Sequence, residues 1–474
     1  MSAESAKPFG CSALTTRRRV LAGLSASLSA ALAVACAGAN RPIPALSGEV
    51  TPVPAAPGAP GTAPLPARIE VWQPFAPGTM LGDTLLRLAE RFRSEHPATT
   101  LNLTAVPGNQ EFLQKLETAF AGGQPPHAFA LDIIWPARFV ARRLLQPLDA
   151  WFSRSGRTGT GTQLDRTDFV PAALDACTIG GTVYALPMML SVLLLYWNAH
   201  HFAQAGLDPE HPPETWDDLL RLSSALTLPD PAAPSGVRRW GFQIPGPAGW
   251  NIWAWQCFLW QRGGELLSAD GRHSRFAEQP GIDALDFWIE LAQRRRTATL
   301  EPGLAPFERG HVAMIIQTLT PIGSMARTAP DVALRSAVLP RDVQAATNTG
   351  GWLWGLAAGN GLRPIDLDGA AEWIRWFSAP EQLGPWNAET GFIPPRYSAQ
   401  ATASWRAASA GPLWRAALAS LPIARTRPKF AAYLEWSAPL GTAIERAVRG
   451  ELSARDALES ARQEADAVLA RAAV

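Results

Sequence analysis

Tyrosine is scarce in this chain of 474 residues, with four in all, and cysteine is equally rare, again with four. So few cysteines exclude a small disulfide-built scaffold. Net charge is almost absent: 42 Lys+Arg stand against 41 Asp+Glu, which leaves no electrostatic footprint for nucleic acid or for an anionic membrane surface. Catalytic signatures are missing too. There is no GxSxG elbow, no Walker loop, no GxGxxG after a strand and no HExxH, and the seven histidines, with His200 and His201 adjacent and the others scattered, lack metal-ligand spacing. These absences favour binding over catalysis, with no metal and no cofactor. A pair of glycosidase carboxylates leaves no such signature, so an exported enzyme acting on glycans stays open as the alternative.

What is present is apolar: 47% of the residues, enough for real cores in two or three domains. The start is different. Thr16-Arg17-Arg18-Arg19 precedes VLAGLSASLSAALAVA, a run of small residues shorter than the roughly 20 needed to span a bilayer. Residues 1–35 read as a Tat-type export signal, and LAVAC resembles a bacterial lipobox with Cys36 as the lipid attachment site. Plain export with cleavage nearby, or an uncleaved anchor, are the other readings. Residues 36–67, rich in Pro, Ala and Gly, have no apolar periodicity and serve as a tether. The expected location is therefore the outer face of the cell membrane, or the periplasm. An exported compartment permits a Cys177–Cys257 disulfide without requiring one.

Beyond the tether, one theme repeats. ARIEVW (67–72), TLNLTAV (100–106) and AFALDIIW (128–135) have strand character, and they alternate with helical stripes over 82–97 and 109–123. Strand, helix, strand, helix, strand means parallel α/β. Ligands of open α/β sheets collect at the carboxyl ends of the strands, here Trp72-Gln73, Pro107-Gly108-Asn109 and Asp132 to Trp135. Asp132 is the odd one, a carboxylate in an apolar strand, and it needs hydrogen-bond donors from protein or ligand.

Tryptophan is the abundant aromatic. WNIWAWQCFLW (250–260) places Trp250, Trp253, Trp255 and Trp260 in one segment, read as a buried helix capped near Asn251 and stopped at Gly263-Gly264. Trp255 and Trp260 are assigned to the core, Trp250 and Trp253 to a ligand at the amino end. Trp216, Trp288, Trp373 and Trp376, on helices, read as core. In Gly350-Gly351-Trp352 the glycines allow close backbone approach and Trp352 can stack on a ligand; a tight turn with a core tryptophan is the competing reading.

Several patches in order, LDIIWPARFVARRLLQPLDAW, YALP followed by LLLYWNAHHFAQAGLDPEHPPETWDDLL, FLWQRGGELLSADG, FERGHVAMIIQ, NTGGWLWGLAAG and RPKFAAYLEW, resemble the extracellular solute-binding proteins of bacterial ABC sugar importers, over roughly residues 68–470. The resemblance implies two α/β lobes, each a mainly parallel sheet flanked by helices, joined by hinge strands near Thr178 to Tyr184, Val312 to Thr318 and Thr347 to Gly351. Lobe 1 would comprise 68–180 and 312–348, lobe 2 181–311 and 349–474. It further implies a monomer that captures a carbohydrate or polyol in the cleft and docks on ABC permease transmembrane subunits, without covalent chemistry. A sensor in place of the permease is another possible client. The implied ligand-binding residues are Trp72, Gln73, Asn109, Asp132, Trp250, Trp253, Gln317, Gly350, Gly351, Trp352, Arg396 and Tyr433, with Arg427 a weaker candidate that a surface salt bridge explains equally well. Two departures stand out: His127 replaces the usual acid before the third strand, and MMLSVLLL is unusually apolar, which keeps alditols, glycerol phosphates and modified sugars open as ligands.

Overall fold

The structure is a computed structural model that describes residues 66–149, 164–246 and 249–472. The export signal, Cys36 and nearly all of the tether lie outside the described residues.

Strand β1 (Ala67–Gln73) pairs in parallel with β2 (Thr99–Ala105) on one side and β3 (Ala128–Asp132) on the other. Helices α1 (Met80–Glu95) and α2 (Asn109–Ala121) make the crossovers. The apolar stripes did their work here: Leu85, Ala89 and Phe92 of α1 and Phe112 and Leu116 of α2 are buried in the first core. β3 is followed by the short helix α3 (Pro136–Ala141). A later strand of the first sheet is β4 (Ala185–Val192), whose residues are all buried.

One residue beyond β4 the chain enters a second sheet as β5 (Leu194–Asn198). The same sheet holds β6 (Val237–Gln243), β7 (Ala298–Thr299), β8 (Val312–Gln317) and β9 (Leu334–Ala337), and β5 lies between β8 and β9. Helix α4 (Trp216–Leu226) opens with a complete capping box, Thr215 and Asp218 exchanging side-chain and backbone bonds. Helix α5 (Trp250–Gln261) is buried on nearly all sides, as an apolar segment without a polar face must be. Its N-cap is Gly249 and not Asn251, whose side chain is drawn inward and donates to the Gly441 carbonyl at 2.7 Å.

The chain returns to the first sheet in β10 (Thr347–Leu356), antiparallel to both β3 and β4. Helices α6 (Pro364–Phe377) and α7 (Pro380–Thr390) join the first core. A last passage, β11 (Ala424–Arg425), runs parallel to Thr347-Asn348, and the chain ends in α8 (Tyr433–Val448) and α9 (Ala454–Ala472), both packed in the second core.

The strand partition differs from the expected one. Val312–Gln317 pairs with β5 and β6 in the second sheet, whereas Ala185–Val192 and Thr347–Leu356 pair with one another in the first, so 181–192, 312–348 and the stretch from 349 to about 400 change lobes. A strand buried on both faces reads the same whichever sheet it joins, so its apolar run does not name its partner. The passages between sheets lie at Leu193, ahead of Thr347 and at Ala424–Arg425. They run side by side, and Thr347 Oγ1 donates to the Leu193 carbonyl at 2.8 Å. Thr178–Ile179 and Thr182–Val183 form a small hairpin and not a passage, with Gly180 and Gly181 at positive φ in its turn. MMLSVLLL is apolar because it crosses from one core to the other: β4 and β5 are buried throughout.

Cys177 and Cys257 are free thiols in separate cores, hydrogen-bonded to the carbonyls of Ala173 and Trp253. No disulfide joins them.

Candidate functional site

The ends of β3 and β10 meet the amino end of α5 and the segment after β11. Asp132, the last residue of β3, stands opposite Trp352 on β10. Its Oδ1 accepts the Ile134 N–H at 3.1 Å and lies 3.7 Å from Nη2 of Arg427. Burial pushes the Asp132 carboxyl above the ordinary carboxylate value, with Arg427 and the Ile134 N–H pulling the other way. The demand for donors read from the sequence is thus met by one amide, with a guanidinium at ion-pair distance.

Arg427 is the residue that organises the rest. Its guanidinium carbon sits 5.6 Å from the ring centre of Trp253, within cation–π range. The Tyr433 phenol is buried close by, and burial raises its pKa while the Arg427 charge pulls the other way. Nε of Arg427 is buried and has no hydrogen-bond partner among the described residues. Beside it lies a narrow recess of about 10 Å³, lined by Ile133, Ile134, Thr349, Lys429 and Arg427 itself.

Trp253 in turn is wedged against the hinge. A Cβ on Gly350 would meet its Cζ2 at 2.4 Å, and Asn348 Nδ2 donates to its carbonyl at 3.1 Å. Gly351 has a φ of +152°, and a Cβ there would stand 2.3 Å from the Met189 carbonyl oxygen. The pair of glycines therefore lies inside a strand, not in a turn, and makes room for an indole and a neighbouring backbone. Trp250, 40% exposed, leans on Trp253 with ring centres 5.0 Å apart. Trp352 is half-buried, edge-on to Phe75 and to Trp135 at 5.4 and 5.6 Å.

Asp132, Trp250, Trp253, Gly350, Gly351, Trp352 and Tyr433 are thus brought together, with Arg427 among them. The other expected residues are placed differently. Gln73 is buried and its Oε1 accepts the Phe75 N–H, bracing the chain after β1. Trp72 is half-buried beneath Lys115, whose Nζ is 5.0 Å from the ring centre. Asn109 is exposed at the first position of α2. Gln317 turns back on its own chain, its Oε1 accepting the Thr318 N–H at 2.9 Å. Arg396 is a correction: it is buried with Nε on Asp168 at 2.7 Å and Nη1 on the Ser378 carbonyl at 2.6 Å, so its donors already serve the first lobe. Arg427 stands among this group, and nothing in RPKF separates a cleft arginine from a surface one.

Chemically this is a recognition surface. Asp132 faces a guanidinium. Among the described residues no group of three His, Cys, Asp or Glu side chains is placed to hold a metal.

Known proteins agree with that reading. The family described as bacterial extracellular solute-binding protein matches residues 77–383. The sn-glycerol-3-phosphate-binding periplasmic protein UgpB of Escherichia coli strain K12 is 25% identical over 342 residues, which is 66% of this chain and 71% of that one. Among solved structures, the cyclic α-maltosyl-1,6-maltose binding protein of Arthrobacter globiformis is 25% identical with a TM-score of 0.72, covering 86% of this chain and 100% of its own. UgpB from Mycobacterium tuberculosis in complex with glycerophosphocholine, 23% identical, superposes with a TM-score of 0.74 over 87% of this chain and 100% of that chain. These are two-lobed solute-binding proteins, not enzymes. The chain belongs to the family of bacterial extracellular solute-binding proteins.

Proposed function

We propose that this protein captures a polyol, most specifically one carrying a phosphate ester, in the cleft around Arg427 and hands it to an ABC permease. The carrying observation is the Arg427 guanidinium, held between the Asp132 carboxylate and the Trp253 ring with its Nε buried and unpartnered. A planar, always-charged donor set in a partly dry site suits an anionic oxygen cluster better than a neutral hydroxyl. Asp132 and the Tyr433 phenol remain for hydroxyls, and Trp250, Trp253 and Trp352 offer indole surface to the C–H faces of a polyol. The ligands that the relatives are named for, sn-glycerol 3-phosphate and glycerophosphocholine on one side and a cyclic maltosyl-maltose on the other, bracket the choice.

In this reading residues 1–35 are removed on export, Cys36 carries a lipid, and 36–67 hold a monomer off the outer face of the membrane. Intact-mass measurement of the membrane fraction tests the anchor: a diacylglyceryl mass on a chain starting at Cys36 is expected, and a free thiol there removes the claim. The ligand is tested by titration calorimetry against glycerol 3-phosphate, its phosphodiesters and neutral di- and trisaccharides. Saturable binding of a phosphate ester supports the reading; tight binding of a neutral sugar with no response to any phosphate ester defeats it.

A further inference from the structure

The segment from Ala424 to Glu435 brings Arg427 into the cleft and runs on into α8, which packs in the second core. Its side chains nevertheless grip the first lobe. Lys429 Nζ lies 2.6 Å from Asp175 Oδ1 and donates to the Asp175 carbonyl at 2.8 Å, and Thr426 Oγ1 reaches Asp175 Oδ2 at 3.1 Å. In the first turn of α8, Glu435 Oε1 accepts from Nη1 of Arg138 on α3 at 2.5 Å. Arg138 is anchored on its own lobe by Glu117 at 2.7 Å, and its side chain is only 14% exposed. Leu434 and Ile134 each pack against both cores beside these pairs.

We propose that Arg138–Glu435 and Asp175–Lys429 form an electrostatic clasp that keeps the lobes closed on the bound solute and holds Arg427 in register with it. The proposal rests on the reading of Arg427 as the ligand's partner. Both pairs follow Arg427 closely on the strap, with Thr426 reaching Asp175 on its other side, and each joins a residue of the first lobe to the strap leading into the second. Arg427 itself is only loosely set by its own acid, at 3.7 Å, so its placement depends on the residues either side. Hinge opening separates the strap from α3, which breaks the Arg138–Glu435 contact and leaves a mostly buried arginine with one acid in place of two. The clasp therefore stabilises the closed state and not the open one, and dissociation, which requires opening, is the step it slows. Arg138, Glu435, Asp175 and Lys429 are positioning residues in this scheme; none is assigned a ligand contact.

The test uses Arg138→Gln and Glu435→Gln singly and the charge-exchanged pair Arg138→Glu with Glu435→Arg, with circular dichroism confirming that each is folded. Small-angle scattering of the ligand-free proteins needs no ligand. The single variants are expected to have a larger radius of gyration than the parent, the exchanged pair to return toward it, and 1 M NaCl to open the parent. With glycerol 3-phosphate as probe, the single variants release ligand about five- to thirtyfold faster with association nearly unchanged. Single variants that scatter and release like the parent, or an exchanged pair no better than the singles, would overturn the clasp. If glycerol 3-phosphate does not bind, the ligand reading fails on its own, and the scattering comparison still decides the clasp.

Discussion

Gly350 lies so close to Trp253 that a Cβ on it would stand 2.4 Å from the indole Cζ2. The glycine is the seat of a tryptophan that reaches over the hinge strand to face Arg427. Gly350→Ala must therefore push the ring or the strand aside. The expected stability loss is about 1–3 kcal/mol, as for overpacking, and ligand affinity should fall together with the near-ultraviolet dichroism of Trp253. Unchanged affinity in a folded Gly350→Ala protein would remove Trp253 from the ligand site.

Two tryptophans of one helix should answer differently to truncation. Trp250 is exposed and touches Trp253, whereas Trp255 is fully buried in the second core. Trp250→Ala is expected to change unfolding free energy by no more than about 0.5 kcal/mol while weakening binding, and Trp255→Ala to cost about 3–5 kcal/mol. Denaturant melts paired with calorimetric titrations separate the two, and the opposite pattern would reverse the roles.

Asp132 gives a pH signature. Its folded pKa is raised by burial above the ordinary 3.8, so the stability tied to its protonated form is fully present below that value and is lost as pH rises through the folded pKa. Asp132→Asn carries no such penalty. Relative to the Asn variant, the parent should gain stability as pH is lowered from neutrality toward 4, read as the difference in unfolding midpoint across pH. A difference that does not vary with pH would mean that the carboxyl is not burdened by burial.

Burial also shields the two core thiols, and it pushes both of their pKa values up. Peptide mapping after treatment with iodoacetamide should find Cys177 and Cys257 unlabelled in the native protein and both labelled in denaturant without reductant. A labelling that needs reductant would indicate a disulfide.

Much of this was legible in the residues. Asp132 drew notice as a charge in an apolar strand, and it lies 3.7 Å from the Arg427 guanidinium. Along α5, Trp255 and Trp260 are buried and Trp250, at the amino end, is exposed, as their positions along the helix suggested. Pairing was not legible. The runs in β4, β8 and β10 announce buried strands, but both sheets offer the same apolar surroundings, and the partner is chosen by tertiary packing. Long polar side chains were not legible either. Arg396 and Arg427 have similar sequence neighbourhoods, yet one is enclosed by Asp168 and the Ser378 carbonyl while the other keeps a free Nε in the cleft. The difference lies in which acids the fold brings near, and those are far away in sequence.

The central claim is that Arg427 binds the ligand of a carrier and not of an enzyme. The most direct measurement is calorimetric titration of the purified protein and of Arg427→Ala with glycerol 3-phosphate and glycerophosphocholine, followed by recovery and mass analysis of the ligand. The account expects one-to-one saturable binding of at least one of them by the parent, recovery of the ligand unaltered, and an affinity loss of at least about 30-fold in the variant, as for a charge-assisted contact of about 2 kcal/mol or more. Equal affinity in Arg427→Ala, or a ligand recovered in cleaved form, would contradict it.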